Sequence, residues 1–382
     1  MPLKMSPLPP VVHGGDLWRA IQQYGGTPQA WLDLSTGINA HTYPVPPLPD
    51  DVWRCLPDDH DDLNEIAARY YGLGDDVPLL AVPGSQYAIR HLPALLPRGV
   101  VGIAELSYGE YAPAFERAGH EVIRYRYPSH DASRNAPDTS AVILHPDHAL
   151  PDALRYLVVV NPNNPTTDQY PVSTLLKWRE TLHARGGMLI VDEAFADVAP
   201  AGSVLPALAA GRTSTSPTER AHHAGAVGQA FAGLIVLRSV GKFFGLAGIR
   251  AGFAIGAAPV LQALKQHMGA WAVSGPARHA MRHAFADLAW QSTMRTRLKA
   301  QSAAMVEMLA AHRLHGRATP LFIWLAHAEA AELQKGLAQH HIWTRLFGAC
   351  TASDGKASLR LGIPAEATDL DRLDKALAKV LR

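Results

Sequence analysis

Ser239-Val240-Gly241-Lys242-Phe243-Phe244-Gly245-Leu246-Ala247-Gly248-Ile249-Arg250 is the stretch on which the reading of this chain turns. It follows an apolar run, Leu234–Ser239, and Lys242 is the only lysine between Lys177 and Lys265. A lysine set among glycines and apolar residues loses solvation. Its pKa falls, and its neutral amine becomes available for a Schiff base with a carbonyl. Ser239 and Arg250 flank it and are placed to hold a phosphate. The plainer reading is a surface lysine on a loop, so the neighbouring sequence has to decide.

Outward from this stretch, short apolar runs alternate with amphipathic helical patterns from about Asp51 to Lys265. The expected strands are Leu79–Val82, Val100–Glu105, Glu121–Tyr127, Tyr156–Asn161, Met188–Asp192, Leu234–Ser239 and Gly252–Ile255. Several are β-branched with few charges, as in a sheet covered on both faces. Helical patterns fill the gaps at Ser85–Leu96, Tyr111–Ala118 and Val172–Arg185. The fold class is α/β with a mostly parallel central sheet, and ligand groups are expected at the carboxyl ends of its strands. Helices over Pro276–His312 and two short strands, Leu321–Leu325 and Ser358–Leu361, describe a smaller α+β domain. The expected division is an N-terminal segment 1–50 packing on the small domain, a large domain 51–265 and a small domain 266–382. Ser129–Asp152 and Ala199–Gly228 read as loops by composition, the second long enough to be flexible or functional.

Four further motifs fall where that sheet would gather them. Asp192, in Ile190-Val191-Asp192-Glu193-Ala194-Phe195, ends an apolar strand, where a carboxylate needs a cationic partner or serves as a helix cap. Asn164 lies in Asn161-Pro162-Asn163-Asn164-Pro165-Thr166, which reads as a turn or as an amide aimed at a ligand. Val82-Pro83-Gly84-Ser85-Gln86 is a small-residue turn entering a helix, the arrangement that offers free N–H groups to a phosphate. Arg360, in Ser358-Leu359-Arg360-Leu361-Gly362, sits on a short strand and suits a bidentate grip on a carboxylate; a solvated edge arginine is the bland alternative.

Together, in this order and spacing, the motifs resemble the fold-type I, aspartate-aminotransferase-like enzymes that depend on pyridoxal 5'-phosphate (PLP). The resemblance covers nearly the whole chain. It implies the PLP-dependent transferase fold and a homodimer. It makes Lys242 the lysine that carries the cofactor, Asp192 the partner of the ring nitrogen and Asn164 the partner of the ring oxygen. Gly84, Ser85, Ser239 and Arg250 would bind the cofactor phosphate, Gln86 would also contact the cofactor, and Tyr108 would stack on the ring. Arg360 would take a substrate carboxylate. Two positions depart from the family pattern: Phe195 stands where a tyrosine often donates to the ring oxygen, and Leu56-Pro57-Asp58 replaces a Tyr-Pro-Asp segment.

The nearest branch holds histidinol-phosphate aminotransferases and the L-threonine-O-3-phosphate decarboxylases of cobalamin biosynthesis. His13-Gly14-Gly15-Asp16 and the later Asn39 look like the decarboxylases, in which they would contact a phosphorylated amino-acid substrate. Asn164 would also touch it, and by the same resemblance Arg345 would hold its phosphate. The aminotransferase is the alternative. Two other classes fit the sequence less well. Ser239-x-x-Lys242 also fits a serine acyl-transfer motif, but no Lys-Thr-Gly follows. A PLP-binding regulator needs a DNA-binding domain, for which there is no room before His13.

Composition suits a globular protein with a sizeable core. The chain has 382 residues, 48% hydrophobic and 18% charged, with a formal net charge of +1. That balance does not argue for a nucleic acid or anionic membrane as partner, so an anionic ligand must be held by a few local groups. Cys55 and Cys350 lack metal-type spacing, the 19 histidines form no ligand motif, and no metal is expected. Without an apolar run of membrane length or a signal-like start, a cytoplasmic location is expected.

Overall fold

A computed structural model describes residues 13–58, 60–74, 77–128, 142–209, 231–348 and 357–381. Its centre is an eight-stranded sheet: β1 (Leu79–Val82), β2 (Val100–Ala104), β3 (Glu121–Arg126), β4 (Val142–Ile143), β5 (Leu154–Val160), β6 (Met188–Asp192), β7 (Leu234–Ser239) and β8 (Gly252–Gly256). The order is β1-β8-β7-β6-β5-β2-β3-β4. Only β8 runs against its neighbours, pairing antiparallel with both β1 and β7. The chain is therefore α/β with a mostly parallel sheet.

The strands are apolar on both faces because both faces are covered. Leu189 and Val191 of β6 and Leu234 and Val236 of β7 enter one core. Met188, Ile190, Ile235 and Leu237, one residue out of step, enter the other. Helices Ser85–Leu95, Tyr111–Arg117 and Val172–Ala184 supply the layers, close to their expected bounds.

Two loop expectations need correction. Within Ser129–Asp152, Val142–Ile143 forms β4 on the sheet edge, and 129–141 lie outside the described residues. Within Ala199–Gly228, Val204–Ala209 is a helix, and 210–228 lie outside the described residues. The helix start is pinned by Glu193, which accepts the Ser203 hydroxyl at 2.6 Å and the Val204 amide at 2.9 Å. Alanine-rich composition hid a start that a distant carboxylate supplies.

Beyond β8, helix Ala258–Met268 runs across residue 265. The Pro276–His312 pattern divides at Asp287, whose carboxylate caps helix Leu288–Ala311 by accepting the Trp290 amide at 2.9 Å. A separate antiparallel sheet orders Arg317–Thr319, Phe322–Ala326, Ser358–Gly362 and Arg345–Phe347. Its core includes Leu34 from the N-terminal segment. Leu32–Asp33 pairs with Ile342–Trp343, and Ala20 packs on Trp31 and Ala338.

Candidate active site

Strand register builds the first part of the site. Gly252 lies opposite Val82 on one side and Ser239 on the other. Because β8 is antiparallel, its amino end meets the carboxyl ends of β1 and β7. Gly84-Ser85, Ser239 and Arg250 are thereby drawn to one rim. Gly252 has no room for a side chain: a Cβ would stand 2.4 Å from the Arg238 carbonyl oxygen and 2.9 Å from the Ser85 nitrogen. Gly84 takes φ 75° and leads into helix Ser85–Leu95 without a side-chain cap. Its position also lies against the Arg250 guanidinium, 3.3 Å from where a Cβ would be. A helix N-terminus, a serine and an arginine facing one cleft suit a phosphate group.

Lys242 is half-buried on the same cleft, with Asp192, Asn164, Tyr108 and Phe195 around it. Burial lowers its ammonium to about 8, Arg360 and Arg250 push the same way, and Asp192 opposes them. Asp192 is buried at the end of β6. Its Oδ2 accepts the Tyr111 hydroxyl at 2.8 Å and its Oδ1 the Ala194 amide at 3.0 Å. Burial nevertheless raises its carboxyl pKa; the two hydrogen bonds and Lys242 only partly offset this. Such a carboxylate is suited to a cation brought by a ligand. Tyr108 is fixed by its hydroxyl donating to Gln86 Oε1 at 2.7 Å, so Gln86 orients this ring as well as lining the cleft. Phe195 lies under Lys242, with Nζ 5.5 Å from the ring centroid, and it offers no hydrogen bond where a tyrosine would. Phosphate cradle, amine, buried carboxylate and aromatic wall fit PLP.

The Lys242 shift sets a pH dependence. Only the neutral amine attacks an aldehyde, and a lowered pKa favours that form. At pH 7 about a tenth of such amines are neutral, against about one in 3,000 for an ordinary lysine. PLP capture by the cofactor-free protein, followed by visible absorbance, should quicken as pH rises and level off above about 8. A midpoint near the ordinary lysine value would contradict the shift.

A second, wider cleft joins the first at Tyr108, Asn164 and Lys242. Arg360 and Arg345 line it, and they are direct cross-strand partners. Like charges placed opposite each other destabilise a sheet, so the pair marks a place for anions. Arg360 is buried; it donates to Asn164 Oδ1 and to the Ser35 carbonyl, and its Nε has no partner. Burial, then Arg345, lowers its pKa to about 10. Arg345 is lowered too, by burial and by Arg19. His13 and Gly14 line the same cleft. Gly14 packs so closely that a Cβ would lie 2.1 Å from the Ser35 oxygen.

Asn39 is the exception among the expected substrate contacts. It lines neither cleft. Its side chain donates to the Phe243 carbonyl at 2.8 Å and accepts the His41 amide at 2.9 Å, while its backbone N–H donates to the Lys242 carbonyl at 3.0 Å. It is buried beneath the lysine turn and clamps it through these backbone contacts.

The sequence reading missed Tyr111, which lies three residues after Tyr108 and reads as core. It also missed a buried ion cluster. Arg238 donates to Glu193 at 2.6 Å and to Asp197, and Arg295 donates to the Asp197 carbonyl at 2.9 Å. Glu193 follows Asp192 and Arg238 precedes Ser239, so the cluster ties two strand ends of the site together. Charged letters inside two apolar runs were the available signal.

Comparison with known proteins follows the same lines. The profile of the aminotransferase class I and II family matches residues 50–380. Threonine-phosphate decarboxylase of Pseudomonas aeruginosa is 40% identical over 369 residues, covering 96% of this chain and 96% of that protein. Threonine-phosphate decarboxylase of a Sinorhizobium species is 37% identical over 384 residues, covering 97% of this chain and 98% of its own. The solved histidinol-phosphate aminotransferase of Sinorhizobium meliloti, in complex with pyridoxal-5'-phosphate, aligns with a TM-score of 0.69 at 17% identity, covering 100% of this chain and 98% of that one. At that identity the structural likeness speaks for the fold.

Proposed function

The chain belongs to the aminotransferase class I and II family, and from that premise we propose that it is a PLP-dependent carboxy-lyase acting on L-threonine O-3-phosphate. The product is (R)-1-aminopropan-2-yl phosphate, for cobalamin (vitamin B12) biosynthesis. The observation that carries the substrate is the cross-strand pair Arg345 and Arg360, beside Lys242. Two adjacent guanidiniums suit one molecule bearing both a phosphate and a carboxylate. Histidinol phosphate has no carboxylate.

When bound, PLP supplies an electron sink for the pair left on the substrate's α-carbon. The chain's own residues do the rest. Gly84, Ser85, Ser239 and Arg250 would hold the cofactor phosphate, with Gln86 fixing Tyr108 beside it. Asp192 would pair with the ring nitrogen, and Asn164 and Tyr108, which line the same cleft, would hold the ring. Arg360 grips the carboxylate, and Arg345, His13 and Gly14 hold the substrate phosphate. Anchoring both ends fixes rotation about the α-carbon, which selects the bond that breaks. Lys242 then returns a proton to that carbon.

The test is product analysis with purified protein and PLP. Release of CO₂ from L-threonine O-3-phosphate without a keto-acid acceptor is expected. Turnover of histidinol phosphate that depends on an acceptor, with no CO₂ from phosphothreonine, would establish the aminotransferase instead.

The same reading takes the enzyme to work in the cytoplasm as a homodimer. Among the described residues no helix is long and apolar enough to cross a membrane. Trp53, Leu56 and Trp271 are 67%, 65% and 61% exposed, unusually so for large apolar side chains. They sit on adjoining segments, since Gly275 packs so closely on Val52 that a Cβ would stand 2.6 Å from its carbonyl oxygen. A second copy would cover them. Trp53→Asp combined with Trp271→Asp should give a monomer by light scattering; an undiminished dimer mass would place the interface elsewhere.

A further inference from the structure

We propose that Glu110 is a positioning residue for substrate, holding His13 and the segment behind it over the wider cleft. The proposal rests on the reading of His13 as a contact for the substrate phosphate.

Glu110 is 6% exposed, and a buried carboxylate is costly unless partnered. It stands at the N-cap of helix Tyr111–Arg117, but its side chain makes no capping hydrogen bond. The carboxylate is turned outward to other partners. His13 Nε2 lies 2.7 Å from Oε1, and Arg90 Nε lies 3.5 Å from Oε2. Arg90 belongs to helix Ser85–Leu95, whose N-terminus forms the phosphate cradle. The His13 ring is 5.9 Å from the Tyr108 ring, at the junction of the two clefts.

Two residues on, the same segment is fixed from the opposite side. The Gly15 amide donates to Ser35 Oγ at 2.8 Å, and Ser35 Oγ donates to Asp33 Oδ1 at 2.6 Å. Gly14, between the anchors, packs against the Ser35 carbonyl that also accepts from Arg360. The segment thus bridges the two sides of the cleft, and Glu110 is its anchor on the central-sheet side. The hydrogen bond to Nε2 also sets the rotation of the imidazole and leaves its other nitrogen for a ligand.

The test uses the PLP-loaded full chain with Glu110→Ala, Glu110→Gln, His13→Ala and the double variant Glu110→Ala/His13→Ala. KM for L-threonine O-3-phosphate should rise about tenfold in Glu110→Ala, with kcat within twofold and the cofactor spectrum unchanged. Glu110→Gln keeps an acceptor and should fall between. His13→Ala, at a half-exposed side chain that the core does not need, should match Glu110→Ala, and the double variant should be no worse than either. Amide hydrogen exchange over 13–16 should accelerate about tenfold in Glu110→Ala. Additive effects, or unchanged KM and unchanged exchange, would overturn the proposal. So would a loss confined to kcat and cofactor retention. If the wild type releases no CO₂ from phosphothreonine, the decarboxylase reading falls, while the exchange comparison still decides the role of Glu110.

Discussion

Lys242→Ala should lower turnover by at least about 1,000-fold while leaving the protein folded and still able to bind PLP. The two halves of that expectation come from different parts of the site. In the proposed reading the amine would both attach the cofactor and move the proton, and its neighbours in the cleft are poor substitutes. Asp192 is a carboxylate and Tyr108 is held by Gln86. The phosphate cradle is built from other residues, at the carboxyl ends of β1 and β7 and just before β8, and it should survive the substitution. The visible band of lysine-bound cofactor should disappear, while PLP remains associated through equilibrium dialysis. Lys242→Arg should be equally inactive, because a guanidinium keeps its proton at any working pH and cannot act as the amine. Turnover within tenfold of wild type in either variant would move the catalytic amine elsewhere.

Local chemistry made the inner cleft legible in the sequence. Each of its motifs lies at the end of a strand whose apolar pattern is continuous, and the parallel sheet gathers strand ends on one rim. What could not be read is pairing across distance. His13 and Glu110 are 97 residues apart, and nothing near either letter names the other. Asn39 shows the same: one N–H of its side-chain amide is taken by the Phe243 carbonyl, 204 residues away, and sequence does not reveal which hydrogen-bonding groups are already occupied. The helix at Val204–Ala209 was missed for the same reason, since the carboxylate that starts it belongs to Glu193. Arg345 and Arg360 were each found singly. Their adjacency, which carries the substrate assignment, is a matter of strand register.

Asp192→Asn should cost about 100- to 1,000-fold in turnover, with little loss of folded stability. The substitution is unusually clean here because both oxygens of Asp192 have known donors. The Ala194 amide needs an acceptor, which the asparagine carbonyl provides. The Tyr111 hydroxyl now donates to Oδ2, and it can rotate to accept from the asparagine N–H instead. Local hydrogen bonding is therefore preserved and only the charge is removed. That charge is expensive to keep: burial raises the Asp192 pKa despite two hydrogen bonds and the nearby Lys242. Burial that disfavours the charge would be offset by a cation opposite it, and a protonated ring nitrogen would be such a cation. Without the charge that proton would be held poorly, so turnover should fall far more than PLP affinity. Tyr111→Phe, which removes one hydrogen bond and keeps the charge, should cost much less. If Asp192→Asn and Tyr111→Phe were equally impaired, the carboxylate would be serving the local structure, and the assignment of Asp192 to the ring nitrogen would fail.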